Sequence, residues 1–291
     1  MPFDNLNVDV SGVDDRRGRG FGSPIALGGG GLGIVGVIVV LLINVLGGGG
    51  GASLLSDNTS SQGTGETTAQ LSARCNTEGA FERDDDCYVI KSYNEINEVW
   101  ATQFSGSTYE PPRLVFFEQG TSTACGNDSS DVGPFYCPAD RSVYIDIGFL
   151  AALQKQFGAQ GRYAQTYIVA HEVGHHLQTL TGTEARVRAA QGRGDAQALS
   201  IGVELQADCY AGAWSALANR AGNFSISERE LDQALNAAAA VGDDRIQQKT
   251  QGRVDPESWT HGSSQQRRDA FLRGYQAANG SACTSLVPLS S

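Results

Sequence analysis

Residues Tyr163–Leu180 read YAQTYIVAHEVGHHLQTL, with no proline and no Asp, Glu, Lys or Arg outside His171-Glu172-Val173-Gly174-His175. A run of this length without a polar stripe predicts a helix packed inside a protein, because a surface helix would alternate with charges. At about 100° per residue, His171 and His175 fall about 40° apart on one face and one turn apart in height. That spacing lets both imidazoles reach one metal ion at ~2.0–2.1 Å, the range of zinc–nitrogen bonds. Glu172 projects beside them, near enough to hold a water on the metal and too far round to displace it. His176 points away from the shared face and is expected to be a packed or solvated neighbour rather than a ligand.

A catalytic zinc site takes three protein ligands and keeps one position open, so a third ligand must lie elsewhere. Extension of the helix to a third histidine fails, because Gln178 and Thr181 stand where that pattern needs glycine and histidine. The better candidate is the helix Leu199–Arg220, whose stretch IGVELQADCYAGAW carries Glu204 and Asp208 four residues apart on an otherwise apolar surface. Two carboxylates buried on one face need a cation or a donor waiting for them. Glu204 is expected to bind the metal, and Asp208 to accept the free ring N–H of a ligand histidine, His171 in the first place. Glu184 and Asp195 also follow the motif, but each lies in a polar stretch where solvation accounts for it. His261, ahead of a helix that Ser263 and Gln266 would cap, is a candidate donor to an oxyanion.

Around this centre the rest of the chain is ordered by simple signals. It has 291 residues, 32 acidic against 21 basic, and a net charge of −11. That balance argues against a nucleic-acid partner, which would need a basic stripe. Thirty-seven glycines occur without a collagen period. Strands are expected at Arg113–Glu118 and Ser142–Ile147, and helices at Tyr93–Phe104 and from Phe149 onward, including one opened by the Ser227–Glu230 capping box. Strands followed by helices suggest an α+β fold with a small sheet and a helical half. The alternating strand Ser142–Ile147 is a candidate to bind an extended peptide along its edge.

No charge occurs between Arg19 and Asp57, and residues 25–46 (IALGGGGLGIVGVIVVLLINVL) are long enough as a helix to cross about 30 Å of hydrocarbon. With Arg16, Arg17 and Arg19 before it, the positive-inside rule predicts a cytoplasmic tail over residues 1–24, a single-pass anchor over 25–46, a flexible linker over 47–70 and an extracytoplasmic domain over 71–291. A cleaved signal peptide fits less well, since no A-x-A site follows Leu46. The cysteines agree with an oxidising compartment: Cys75 with Cys87 and Cys125 with Cys137 form two local pairs of equal spacing. Cys209 and Cys283 either pair over a long loop or leave a buried thiol.

The segments HEVGHHLQ and ELQADCYAG resemble those of the bacterial "putative neutral zinc metallopeptidases". The resemblance extends to the N-terminal DDRRG with its glycine-rich stretch, to Pro111-Pro112-Arg113, to ACG ahead of PFYCPAD, and to THGSSQQR. It implies a zincin fold with gluzincin-like ligation of one Zn2+ per chain by His171, His175 and Glu204. The expected function is hydrolysis of peptide or protein substrates by a metal-activated water, with Glu172 as general base. The alternative is a zinc-containing, membrane-tethered scaffold that binds without cleaving; the intact Glu172 counts against it.

Overall fold

The computed structural model describes residues 7–18, 65–104, 109–129, 133–157, 161–190, 195–222 and 224–289. In chain order its elements are β1 (Val13–Asp15), α1 (Thr68–Cys75), α2 (Ala80–Arg83), α3 (Asp85–Gln103), β2 (Arg113–Phe116), β3 (Gly120–Thr123), β4 (Gly126–Ser129), β5 (Phe135–Cys137) and β6 (Ser142–Ile145). There follow α4 (Ile147–Phe157), α5 (Arg162–Leu180), α6 (Thr183–Ala190), α7 (Ala196–Ala221), α8 (Glu228–Ala240), α9 (Asp243–Gln251) and α10 (Ser264–Ala277). The class is α+β; the described residues form one four-stranded sheet, one hairpin and a helical majority.

The sheet runs β1-β2-β6-β5, parallel except for β5. β6 is buried along its whole length, and its neighbours β2 and β5 occupy both of its edges. The expected docking of a peptide along β6 is therefore corrected: its backbone groups are already spent within the sheet. One face of the sheet, with Leu114, Phe116, Val143 and Ile145, joins the main core; the other, with Val115, Phe117, Phe135 and Tyr144, forms a small aromatic core of its own. β6 stops at Ile145 because Asp146 turns the chain into α4, its carboxylate accepting the Phe149 N–H at 3.2 Å.

Helix α3 begins eight residues before the expected Tyr93. Its apolar face continues upstream through Tyr88, Val89 and Ile90, and Asp85 and Asp86 sit in the first turn, where acidic side chains suit the helix dipole. Capping boxes open α8 at Ser227 and α10 at Ser263 as expected, and a third opens α1 at Thr67. All three cysteine pairs are disulfides: Cys75–Cys87, Cys125–Cys137 and Cys209–Cys283.

Two close approaches position the helices around the site. A Cβ on Gly174 of α5 would lie 3.0 Å from the Cα and carbonyl oxygen of Ala207, so α5 and α7 meet almost backbone to backbone. Gly212 of α7 and Gly274 of α10 do the same for the next pair: a Cβ at either would fall within 2 Å of a carbonyl oxygen of the other helix.

The assignment of residues 1–24 to a separate tail needs correction. Val13–Asp15 is an edge strand of the main sheet, in register with Leu114–Phe116, and Val8, Val10 and Val13 are buried in the core. The domain also starts before residue 71, since Glu66 and Thr67 are already bonded into it. The proposed anchor at 25–46 lies outside the described residues, and among those described no helix is long and apolar enough to cross a membrane.

An ion cluster holds the N-terminal strand. Arg17 bonds Asp15 and Asp86, and Arg74 bonds Asp86 and Glu66, beside the Cys75–Cys87 bridge. Burial alone would raise the Asp86 carboxyl, but Arg74 and Arg17 outweigh it and hold it below the usual carboxylate range. Its contribution is thus complete above the ordinary carboxylate pKa of about 3.9 and is lost as pH falls through the depressed folded value. Asp86→Asn should cost about 2–3 kcal/mol at pH 7, less than a wholly buried pair because both arginines are partly solvated. Urea unfolding should also show the wild type losing more stability than the variant between pH 5 and pH 3.

Candidate metal centre

The close packing of α5 on α7 brings four buried groups to one point. His171, Glu172 and His175 come from α5 and Glu204 from α7. The two Nε2 atoms are 3.2 Å apart, His171 Nε2 is 3.3 Å from Glu204 Oε2, and His175 Nε2 is 3.6 Å from Glu204 Oε1. Donors at ~2.0–2.1 Å from one tetrahedral centre are separated by about 3.3 Å, so the three groups have the spacing of a zinc ligand set. Glu204 Oε1 is buried and accepts no hydrogen bond, as a group awaiting a cation would be. Among the described residues His171, His175 and Glu204 form the one cluster of this kind. Two nitrogens and one carboxylate oxygen suit zinc, and the residues present therefore fit it.

The ring nitrogens that face away from this point are also provided for. For both Nε2 atoms to ligate, each Nδ1 must carry the proton. His171 Nδ1 lies 2.9 Å from Asp208 Oδ1, and His175 Nδ1 lies 2.9 Å from Gln178 Oε1. Gln178 is oriented in turn by donating from Nε2 to the Val203 carbonyl at 2.7 Å. Asp208 also accepts from Arg267 Nε and Nη2, at 2.8 and 3.0 Å, and from the Tyr167 hydroxyl. The Arg267 guanidinium is 2% exposed and stands 3.9 Å from Glu204, so it balances both buried acids.

The other candidates fall into place around this cluster. His176 is buried against the Tyr136 hydroxyl and the Glu110 carbonyl, away from the ligands, as expected. Glu184 pairs with Arg188 and accepts from Thr179, while Asp195 caps α7. His261 is 1% exposed. Its Nδ1 is held by Thr260 Oγ1 at 2.8 Å and Asp243 Oδ1 at 3.2 Å, while Nε2 is buried without a hydrogen-bond partner. Asp243 accepts the backbone N–H groups of Thr260, His261 and Gly262, which fixes the loop. Gln178, Arg267, Asp243 and Tyr167 were not anticipated from the sequence. Tyr167, one turn before His171, and Gln178, three residues after His175, left a periodic signal on α5; Arg267 and Asp243 depend on how distant elements meet.

Electrostatics match the geometry. Burial opposes charging His171, but Asp208 and Glu204 overcome it and raise the imidazole to about 10. Burial pushes His175 down to about 4. Burial would also raise Glu204, yet the two facing histidines hold it well below the usual range. Glu172 has no such partner on Oε2; burial first, and then the charge of Glu204, push it up to about 7.

Because His171 is protonated at pH 7 and must be neutral to ligate, metal binding should release about one proton, and affinity should rise with pH up to about 10. Calorimetry of zinc binding in buffers of different ionisation enthalpy measures this directly. Glu204→Ala should abolish stoichiometric zinc in metal analysis, while Asp208→Ala should weaken binding about 10–100-fold.

The sequence pattern of the family described as "Putative neutral zinc metallopeptidase" matches residues 4–286. The chain is 42% identical over 230 residues to "Uncharacterized protein YpfJ" of Escherichia coli (strain K12), covering 76% of this chain and 79% of that protein. It is 43% identical over 220 residues to "Uncharacterized protein Rv2575" of Mycobacterium tuberculosis (strain ATCC 25618 / H37Rv), covering 72% and 74%. No solved structure matches. The match runs from the N-terminal strand through both ligand helices to the C-terminal turn, and the chain belongs to this zinc metallopeptidase family.

Proposed function

We propose that the protein is a membrane-attached, zinc-dependent peptidase that hydrolyses internal peptide bonds, with Glu172 as general base. The observation that carries this reading is the Glu172 carboxylate, buried with Oε2 unpartnered beside the three-donor cluster. A scaffold that only binds would gain nothing from a buried carboxylate without a donor, which costs about 1–3 kcal/mol or more.

Zinc, when bound by His171, His175 and Glu204, supplies a Lewis acid that polarises a carbonyl and acidifies water. Glu172 takes the proton of the attacking water and returns it to the departing amine nitrogen; a carboxyl raised towards neutrality suits both transfers. His261, held at Nδ1 by Asp243, donates from Nε2 to the carbonyl oxygen as it gains negative charge. Asp208, kept in place by Arg267 and Tyr167, fixes the orientation of His171. With β6 enclosed, an extended substrate would lie along the outer edge of β5, which no strand among the described residues pairs. The Tyr136–His176 bond ties that edge to α5, the helix that carries His171, Glu172 and His175. An extracytoplasmic location is supported by the three disulfides, and membrane attachment by the uncharged stretch at 25–46.

Glu172→Gln keeps size and all three ligands, so it should retain zinc while peptide hydrolysis falls about 10²–10⁴-fold. His261→Ala should lose about 10²–10³-fold, again with zinc in place. Cleavage profiling of the purified full chain on a broad peptide library, with and without zinc, tests both; a zinc-loaded wild type that cleaves nothing overturns the proposal.

A further inference from the structure

Residues 7–18 precede the uncharged stretch in the sequence, yet they are built into the body that follows it. β1 pairs with β2, and the Arg16 N–H donates to the Phe116 carbonyl at 2.8 Å. The Arg17 guanidinium lies 5.2 Å over the Phe116 ring and bonds both Asp15 and Asp86. The seam then closes onto the other end of the intervening chain. The Glu66 N–H donates to the Asp15 carboxylate at 3.0 Å, and a Cβ on Gly65 would fall 2.1 Å from the Asp15 carbonyl oxygen. Asp15 thus binds both Arg17, just before residues 19–64, and Glu66, just after them. The described residues on either side of that stretch are held at one point.

A segment that crosses a bilayer once delivers its ends to opposite faces of about 30 Å of hydrocarbon. A second crossing would have to be made by residues 47–64, GGGGGASLLSDNTSSQGT, which are too polar to enter lipid. One crossing and an intact β1 are therefore incompatible, and the positive-inside orientation cannot apply as a single-pass rule. We propose that residues 7–18 and the body 65–289 lie on the same side of the membrane, and that residues 25–46 attach the protein to the bilayer from that side without a single crossing. The partner is lipid hydrocarbon. The inference does not rest on the peptidase reading.

All six native cysteines are in disulfides, so an introduced thiol can report its side alone. Ser11 and Glu257 are exposed, on the N-terminal segment and the domain respectively. Full chains carrying Ser11→Cys or Glu257→Cys are made in cells, and spheroplasts are treated with a membrane-impermeant maleimide before and after permeabilisation. The chain should fractionate with membranes, and both thiols should react before permeabilisation. Reaction of both only afterwards also supports a shared side, while overturning the extracytoplasmic location proposed above. Reaction of one before and the other only after overturns the inference, and recovery of the whole chain in the soluble fraction overturns attachment to lipid.

Discussion

Gly174 lies against the backbone of Ala207, and the site depends on that contact. A methyl group there would press on the Ala207 Cα and carbonyl at 3.0 Å, and the ligands on the two helices would be forced apart. Glycine inside a helix costs about 1 kcal/mol relative to alanine. Here the cost is offset by an approach that sets His171 and His175 within 3.3–3.6 Å of the Glu204 carboxylate oxygens. Gly212 and Gly274 repeat the device one layer out, bringing α10 close enough for Arg267 to reach Asp208. Three helices are thus spaced by the absence of side chains, and the polar groups meet because the backbones do.

Charge organises what packing brings together. Three carboxylates, Glu172, Glu204 and Asp208, are buried within one small volume, and Arg267 is the fixed cation among them. Removal of that guanidinium would leave Asp208 with His171 and Tyr167 only. The arrangement separates the tasks of the acids. Asp208 is saturated with donors, the two carboxylate oxygens of Glu204 each face an imidazole, and Glu172 Oε2 is buried with no hydrogen-bond partner. Similar side chains therefore differ in readiness to accept a proton because of their neighbours.

The centre of the molecule could be read from the sequence because its signals are local. A helical repeat places His171 and His175 together, and the same repeat on an apolar helix marks Glu204 and Asp208. Cys209 with Cys283 stayed open, since nothing local joins residues 74 apart. Arg267 carries no local signal, and only its burial against Asp208 and Tyr167 reveals its use. Gln178 stood out merely as the residue that spoiled a longer histidine pattern, yet it accepts from His175. The N-terminal strand was the largest miss. Three residues, Val-Asp-Asp, carry no periodicity, and the arginines beside them invite a membrane-orientation rule when their partners are Asp15, Asp86 and an aromatic ring.

The edge position of β1 also bears on the order in which the chain is assembled. Its pairing partner, β2, lies about one hundred residues downstream, so at a synthesis rate of about 5–20 residues per second the strand must wait some 5–20 s for Leu114 to be made. During that interval the apolar stretch is already out of the ribosome while β1 still lacks its partner strand. Whatever receives the nascent chain therefore meets that stretch before residues 13–15 have taken their place in the sheet.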